Sequence, residues 1–241
     1  TIPNVDGTST ATGLLSTMAT DDNESWTGIF TPTSNIEDAT NTLSLDNESY
    51  TDLAGNNGPA ATTANYKVDT IPPAVDNFTM SDTELKIGDN ATVTLIFSEA
   101  VTNFTNADIT VDNGSLSTMT PSNDNKTWTG IFIPTDDIED NTSVLSLGTN
   151  YTDLAGNNGP DNTTENYKVD TREPVVSSIA ITGQEGRQNN FLNPDDNVSL
   201  TATFSETVIL DNSSGSPTLT TIVVGSANRT ATYASGSNSD R

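Results

Sequence analysis

The 241 residues include no cysteine and no histidine, and only 8 lysines and arginines stand against 33 acidic residues, for a net charge of −25. Without cysteine there is no disulfide frame. Without either residue there is no preferred transition-metal ligand and no Ser-His or Cys-His nucleophile pair, so an enzyme of the familiar hydrolytic kinds is not expected. The shortage of positive charge excludes nucleic acid as a partner, because a polyanion is repelled at long range and no basic stripe exists to meet its phosphates. Aromatic residues are 6% of the chain, and Leu, Ile, Val and Phe together are about a fifth of it. That is close to the level of about 20% below which highly charged chains stay disordered, so the core is expected to be thin. No apolar run reaches the roughly 18 residues of a membrane-spanning helix, and no membrane insertion is expected.

What the sequence does have is repetition. The stretch YTDLAGNNGP at residues 50–59 returns at 151–160, and each copy runs on through NYKVDT to a proline. Tyr66 and Tyr167 are 101 residues apart, as are Asp69 and Asp170, so the period is that of one small domain. GLLSTM at 13–18 answers GSLSTM at 114–119, WTGIF at 26–30 answers WTGIF at 128–132, and IED at 36–38 answers IED at 138–140. Residues 1–69 therefore read as a partial module without its first strands, 70–170 as a complete one, and 171–241 as a partial module of a related type without its last strands. In the third, Val198, Leu200, Ala202 and Phe204 precede Ser205 and Glu206 as Ala91, Val93, Leu95 and Phe97 precede Ser98 and Glu99. Both ends are expected to be cuts through a longer tandem chain.

Within the complete module the apolar period is two. Ala91, Val93, Leu95 and Phe97 alternate with Thr92, Thr94, Ile96 and Ser98, and the same alternation holds at Trp128, Gly130 and Phe132, at Leu145 and Leu147, and at Tyr167 and Val169. The pattern predicts strands over 75–81, 91–98, 107–112, 115–121, 126–133, 143–152 and 165–170. Turn signals separate them at 88–90, 112–114, 122–125 and 136–141. Seven short strands in about 100 residues predict an all-β fold of tandem immunoglobulin-like sandwiches, arranged in line as a rod. Trp128 and Tyr151 share the inward phase and are expected in the core rather than on a carbohydrate-stacking surface.

The combination of VTLIFSEAVTNFTNADITVDNG, WTGIFIPT, YTDLAGNNG and YKVDT before a proline resembles the bacterial immunoglobulin-like repeats of giant surface adhesins. That resemblance implies an extracellular chain, secreted or at the bacterial cell surface, in which stacked modules hold a distal binding domain away from the envelope. It also implies calcium at the joints between modules. The residues carry their own argument for the same place. In a seven-strand sandwich the turn after the second strand and the loop between the last two lie at the pole where the preceding module ends, so Glu99, Asp153 and Asn157 are expected to converge on Asp69. Hard oxygen donors from several loops suit calcium better than magnesium, which demands a tighter octahedron. The alternative reading is local: Asp69 and Asp153 cap their own turns, and Asn157 supplies turn geometry. The set is expected to recur through Asp170 and Glu206 at the second joint, with Asp52 and Asn56 as the first module's reciprocal half. Asp136, Asp137, Glu139 and Asp140 are read either as an aid to that second joint or as a solvated turn.

Three functional classes stand on this reading. The first is a non-catalytic stalk segment of a surface adhesin, stiffened by calcium, whose partners are the neighbouring repeats of the same chain. The second is a filament or surface-layer subunit, self-associating by strand exchange between incomplete modules. The third is a spacer or carbohydrate-binding module of a secreted enzyme. The adhesion ligand is not written in these residues.

Overall fold

Threonine-rich alternation allows one face of a strand to meet water and the other a core, and the chain uses it almost throughout. A computed structural model describes residues 9–10, 12–189, 191, 193, 196–209, 218–224 and 227–232. The chain divides into two units, Thr1–Thr171 and Arg172–Arg241.

In the first unit, the first module contributes β1 (Ser9–Thr10), β2 (Gly13–Leu15), β3 (Phe30–Pro32), β4 (Glu37–Asn41), β5 (Ser44–Leu45), β6 (Ala61–Thr62) and β7 (Tyr66–Asp69). β1, β2 and β3 form one antiparallel sheet, while β4 pairs with β7 and β5 with β6. The complete module follows with β8 (Val75–Met80), β9 (Glu84–Lys86), β10 (Ala91–Phe97) and β11 (Val101–Thr102). A 3-10 turn over Asn106–Asp108 leads into β12 (Ile109–Val111), β13 (Gly114–Leu116), β14 (Thr120–Pro121) and β15 (Thr127–Pro134). β16 (Glu139–Ser143), β17 (Leu145–Leu147), β18 (Thr152–Asp153), β19 (Asn162–Thr163) and β20 (Tyr167–Asp170) complete it.

The module is a two-layer sandwich. One sheet runs β13-β15-β10-β8, with β14 also on β15. The other is built from β12-β17-β19 and β16-β20-β9. Only Val144 separates β16 from β17, so the two halves of this second layer are continuous in the chain, and the pairing of β16 with β20 shifts register between Asp140 and Ser143. Phe78, Val93, Leu95, Phe97 and Phe132 from the first sheet meet Leu85, Leu145, Leu147, Tyr167 and Val169 from the second in one buried cluster. Phe132 and Tyr167 meet edge to face across it, with ring centroids 5.1 Å apart. Trp128 and Tyr151 also face inward, against Phe104.

The structure differs from the sequence expectation at several places, and the expected strand 115–121 is split into β13 and β14. The third strand starts later than residue 107, because Thr105 and Asp108 cap one another and wind the chain into the 3-10 turn first. The sixth strand, expected over 143–152, is broken into β17 and β18, and the polar run 139–143 ahead of it is a strand of its own, β16, because it pairs with β20. A parallel pairing of β9 with β20 was not expected at all.

In the second unit β21 (Val176–Glu185) pairs with β22 (Asn197–Phe204), and β23 (Thr218–Val224) with β24 (Ala227–Thr232), both antiparallel.

The core is unequally shared. Among the described residues of the first module, Val68 is the buried apolar side chain, whereas the complete module buries the whole cluster. The repeat provides an internal control: Phe132 is 0% exposed, while its equivalent Phe30 is only half-buried against Tyr66. Phe132→Ala is expected to cost about 3–5 kcal/mol in urea unfolding, as for a large buried aromatic. Phe30→Ala is expected to cost less than about half of that. Equal losses would contradict the unequal core.

Candidate metal centre at the first joint

The second copy of the repeated decapeptide forms the loop 148–161, and one carboxylate organises it. Asp153 Oδ1 accepts the N–H groups of Ala155, Gly156 and Asn157 at 2.8, 2.7 and 2.9 Å. Its Oδ2 accepts from Asn157 Nδ2 at 2.7 Å. Gly156, at φ +97°, allows the chain to curl around the carboxylate. Gly159 passes under the ring of Tyr151, where a Cβ would lie 2.1 Å from a ring carbon, and the Tyr151 hydroxyl donates to the Pro160 carbonyl at 2.8 Å. β18 pairs with β11, setting Val101 opposite Asp153, and this ties the loop to the turn that carries Glu99.

The preceding module enters at the same pole. Asp69 ends β7, Glu99 follows β10 by two residues, and Asp153 lies in β18. Asp69, Glu99 and Asp153 each offer a carboxylate oxygen, and these oxygens lie within 4.8 Å of one another. Asn157 Nδ2 also donates to the Asp69 carbonyl at 3.2 Å and sits 3.5 Å from that of Ile71. The amide therefore offers donors, not its oxygen, to the linker and to Asp153.

The remaining expected residues fall elsewhere. Asp52 and Asn56 build the same loop form in the first module, with Oδ1 of Asp52 accepting from Ala54 and Asn56 and Oδ2 from Asn56 Nδ2, but there the loop is exposed. Asp170 ends β20 opposite Glu139 and Lys86. Glu206 lies in the second unit, just beyond β22, and its Oε1 is buried with no hydrogen-bond partner among the described residues.

Sequence reasoning missed Glu37. It lies opposite Asp69 across β4 and β7, and its charge acts on Glu99. The signal was the repeated Ile-Glu-Asp: read as a strand start, it sets its Glu opposite the Asp of Lys-Val-Asp in both modules.

The electrostatics follow from this crowding. Burial raises the Glu99 carboxyl above its ordinary value, and the charges of Asp153, Asp69 and Glu37 raise it further, with Lys126 opposing them. Burial also pushes Asp153 up, but the hydrogen bonds from Asn157, Gly156 and Ala155 outweigh it and hold the carboxyl below its ordinary value. Three hard oxygen ligands on three segments suit a divalent cation of calcium's size and flexible geometry.

A family model described as the bacterial Ig-like domain matches residues 4–68 and, in tandem, residues 69–169. No curated protein and no solved structure matches the chain.

In a chelator the two shifted carboxyls set opposite pH limits. The contribution of Glu99, whose folded value is raised, is fully present below the ordinary 4.5 and is lost as pH rises through the folded value. That of Asp153, whose folded value is lowered, is present above the ordinary 3.8 and is lost as pH falls through the folded value. Thermal melts of wild type minus Glu99→Gln, taken in chelator from acid to neutral pH, are expected to show the difference decline on the neutral side. A difference independent of pH would contradict the crowding.

Proposed function

Since the chain belongs to the bacterial Ig-like domain family, we propose that it is a non-catalytic extender segment of a bacterial cell-surface adhesin, with calcium held at the joint between its first two modules. The observation that carries this reading is the meeting of the Asp69, Glu99 and Asp153 carboxylates, one from the end of one module and two from the pole of the next. Without a cation those charges repel one another; with one, the linker, the turn after β10 and the loop 148–161 become ligands of a single ion. Asn157 holds the loop against the linker from beside them. Pro72 and Pro73 restrict the linker backbone, and the side chain of Pro73 is fully buried.

An extender needs defined joint angles more than it needs a pocket, and on this reading an ion shared by the two modules fixes them. Affinity in the range of extracellular modules, about 10⁻⁴ to 10⁻³ M, suits an environment where calcium is abundant. That fits a surface or secreted location.

Titration calorimetry with calcium chloride tests the site. Asp69→Ala and Glu99→Ala are each expected to remove one equivalent of bound calcium while the far-ultraviolet spectrum stays that of a β protein. Unchanged stoichiometry in both variants would reduce these residues to turn and surface groups. Chelation is also expected to lower Tm, and sodium at matched ionic strength is not expected to restore it. Equal rescue by both salts would mean plain screening.

A second reading, self-association through strand exchange, draws on one observation: Val176, Ile179 and Ile181 of β21 are all more than half exposed. Particle size rising with protein concentration at fixed calcium would favour it.

A further inference from the structure

We propose that Lys126 is a tethered counter-charge for the joint: its ammonium partly neutralises the Asp69, Glu99 and Asp153 group and so sets how strongly that group demands a divalent cation. This rests on the reading of the joint as a cation site. The turn between β14 and β15 grips the chain on both sides of Glu99. The Lys126 carbonyl accepts Phe97 N–H at 2.9 Å, the Asn125 carbonyl accepts Val101 N–H at 3.3 Å, and Lys126 Nζ donates to the Ser98 carbonyl at 2.8 Å. A lysine side chain held this way has lost rotamer freedom for a contact with a neutral acceptor.

Two further features separate charge from shape. First, among the described residues Lys126 closes no ion pair within 4.0 Å, whereas Lys86 pairs with Asp89 and Lys168 with Glu84. Lys126 acts on Glu99 through its field without closing on one carboxylate, so the oxygens stay available to an ion. Secondly, the hairpin does not need a lysine. Aligning Trp26 with Trp128 puts Glu24 at the equivalent position. The turn is nonetheless kept: Thr20 donates to Asp22 as Ser122 does to Asp124, and Asn23 and Asn125 take positive φ of 62° and 54°. The position accepts either sign of charge, and the complete module, whose pole faces Asp69, carries the positive one. Lys126 is thus a positioning residue for charge, lowering repulsion when no ion is bound and competing with the ion when one is.

A charge series tests this with calcium chloride as the probe. At low ionic strength Lys126→Met is expected to tighten calcium binding about three- to tenfold, and Lys126→Glu further, as interactions of one or two unit charges through a watery medium imply. The spread should shrink in 0.5 M sodium chloride, an ionic strength at which the Debye length is only about 4 Å. Lys126→Arg should behave as wild type. In chelator, Tm should fall in the order Lys, Met, Glu. Met and Glu variants that match each other, or an Arg variant that matches Met, would overturn the proposal and leave only a hydrogen bond to Ser98. If wild type takes up no calcium, the reading of the joint fails by itself. The chelator series still decides the counter-charge: the stated order supports it, and identical melting overturns it.

Discussion

The carboxylate of Asp153 is 0% exposed, and a charge so placed must be satisfied or it unfolds what surrounds it. Three backbone N–H groups and one side-chain amide satisfy it, all from the four residues that follow. The loop therefore winds around its own first acid, and its shape owes little to its neighbours. Asp52 demonstrates this, since it draws the same loop into the same form while standing in water. Context decides only what the loop then meets. In the complete module that is the end of β7, and a group already committed to capping becomes one corner of a three-carboxylate cluster. Its Oδ2 takes a single hydrogen bond and so keeps capacity for a further partner.

An economy of apolar residues explains why so much structure is entrusted to polar side chains. The complete module holds one aromatic-centred cluster, and the first module adds a single buried valine among its described residues. Elsewhere polar groups close the gaps. Thr171 donates to the Thr135 carbonyl, and Asn106 reaches Ser117 and Met119 with both ends of its amide. Bonds of this kind contribute about 1 kcal/mol each when formed and cost more when half-formed, which favours precise over generous packing.

Reading the sequence found what periodicity encodes. Ala91 to Phe97 and Trp128 to Phe132 state their inward phase outright, and the doubled decapeptide locates the pole where Asp69, Glu99 and Asp153 gather. The misses share a cause. Glu139 to Ser143 has no apolar alternation, and its strand exists because β20 lies alongside; only Ser143 of that run is buried. Glu84 to Lys86 is too short to show a period and is recruited by a parallel neighbour distant in sequence. Glu37 disappeared with the first of these, since a residue read as part of a turn has no cross-strand partner. Local pattern reveals elements that would be amphipathic anywhere, and conceals those that pairing alone creates.

Seven described non-glycine residues take positive φ, and all are asparagine except Asp137. Asn113 is the demanding case, because Gly114 follows it and cannot be replaced: a Cβ there would lie 2.2 Å from the ring of Phe132. Asparagine before glycine is a thermolabile step, at which the next backbone nitrogen attacks the amide carbon and expels ammonia. Here the Asn113 amide is clamped, its Nδ2 donating to Asp140 Oδ2 at 2.8 Å and to Ser143 Oγ at 2.9 Å. The covalent lifetime of that turn is thus set by how long the pairing of β16 with β20 beside it stays shut, and each brief opening counts toward the age of the molecule.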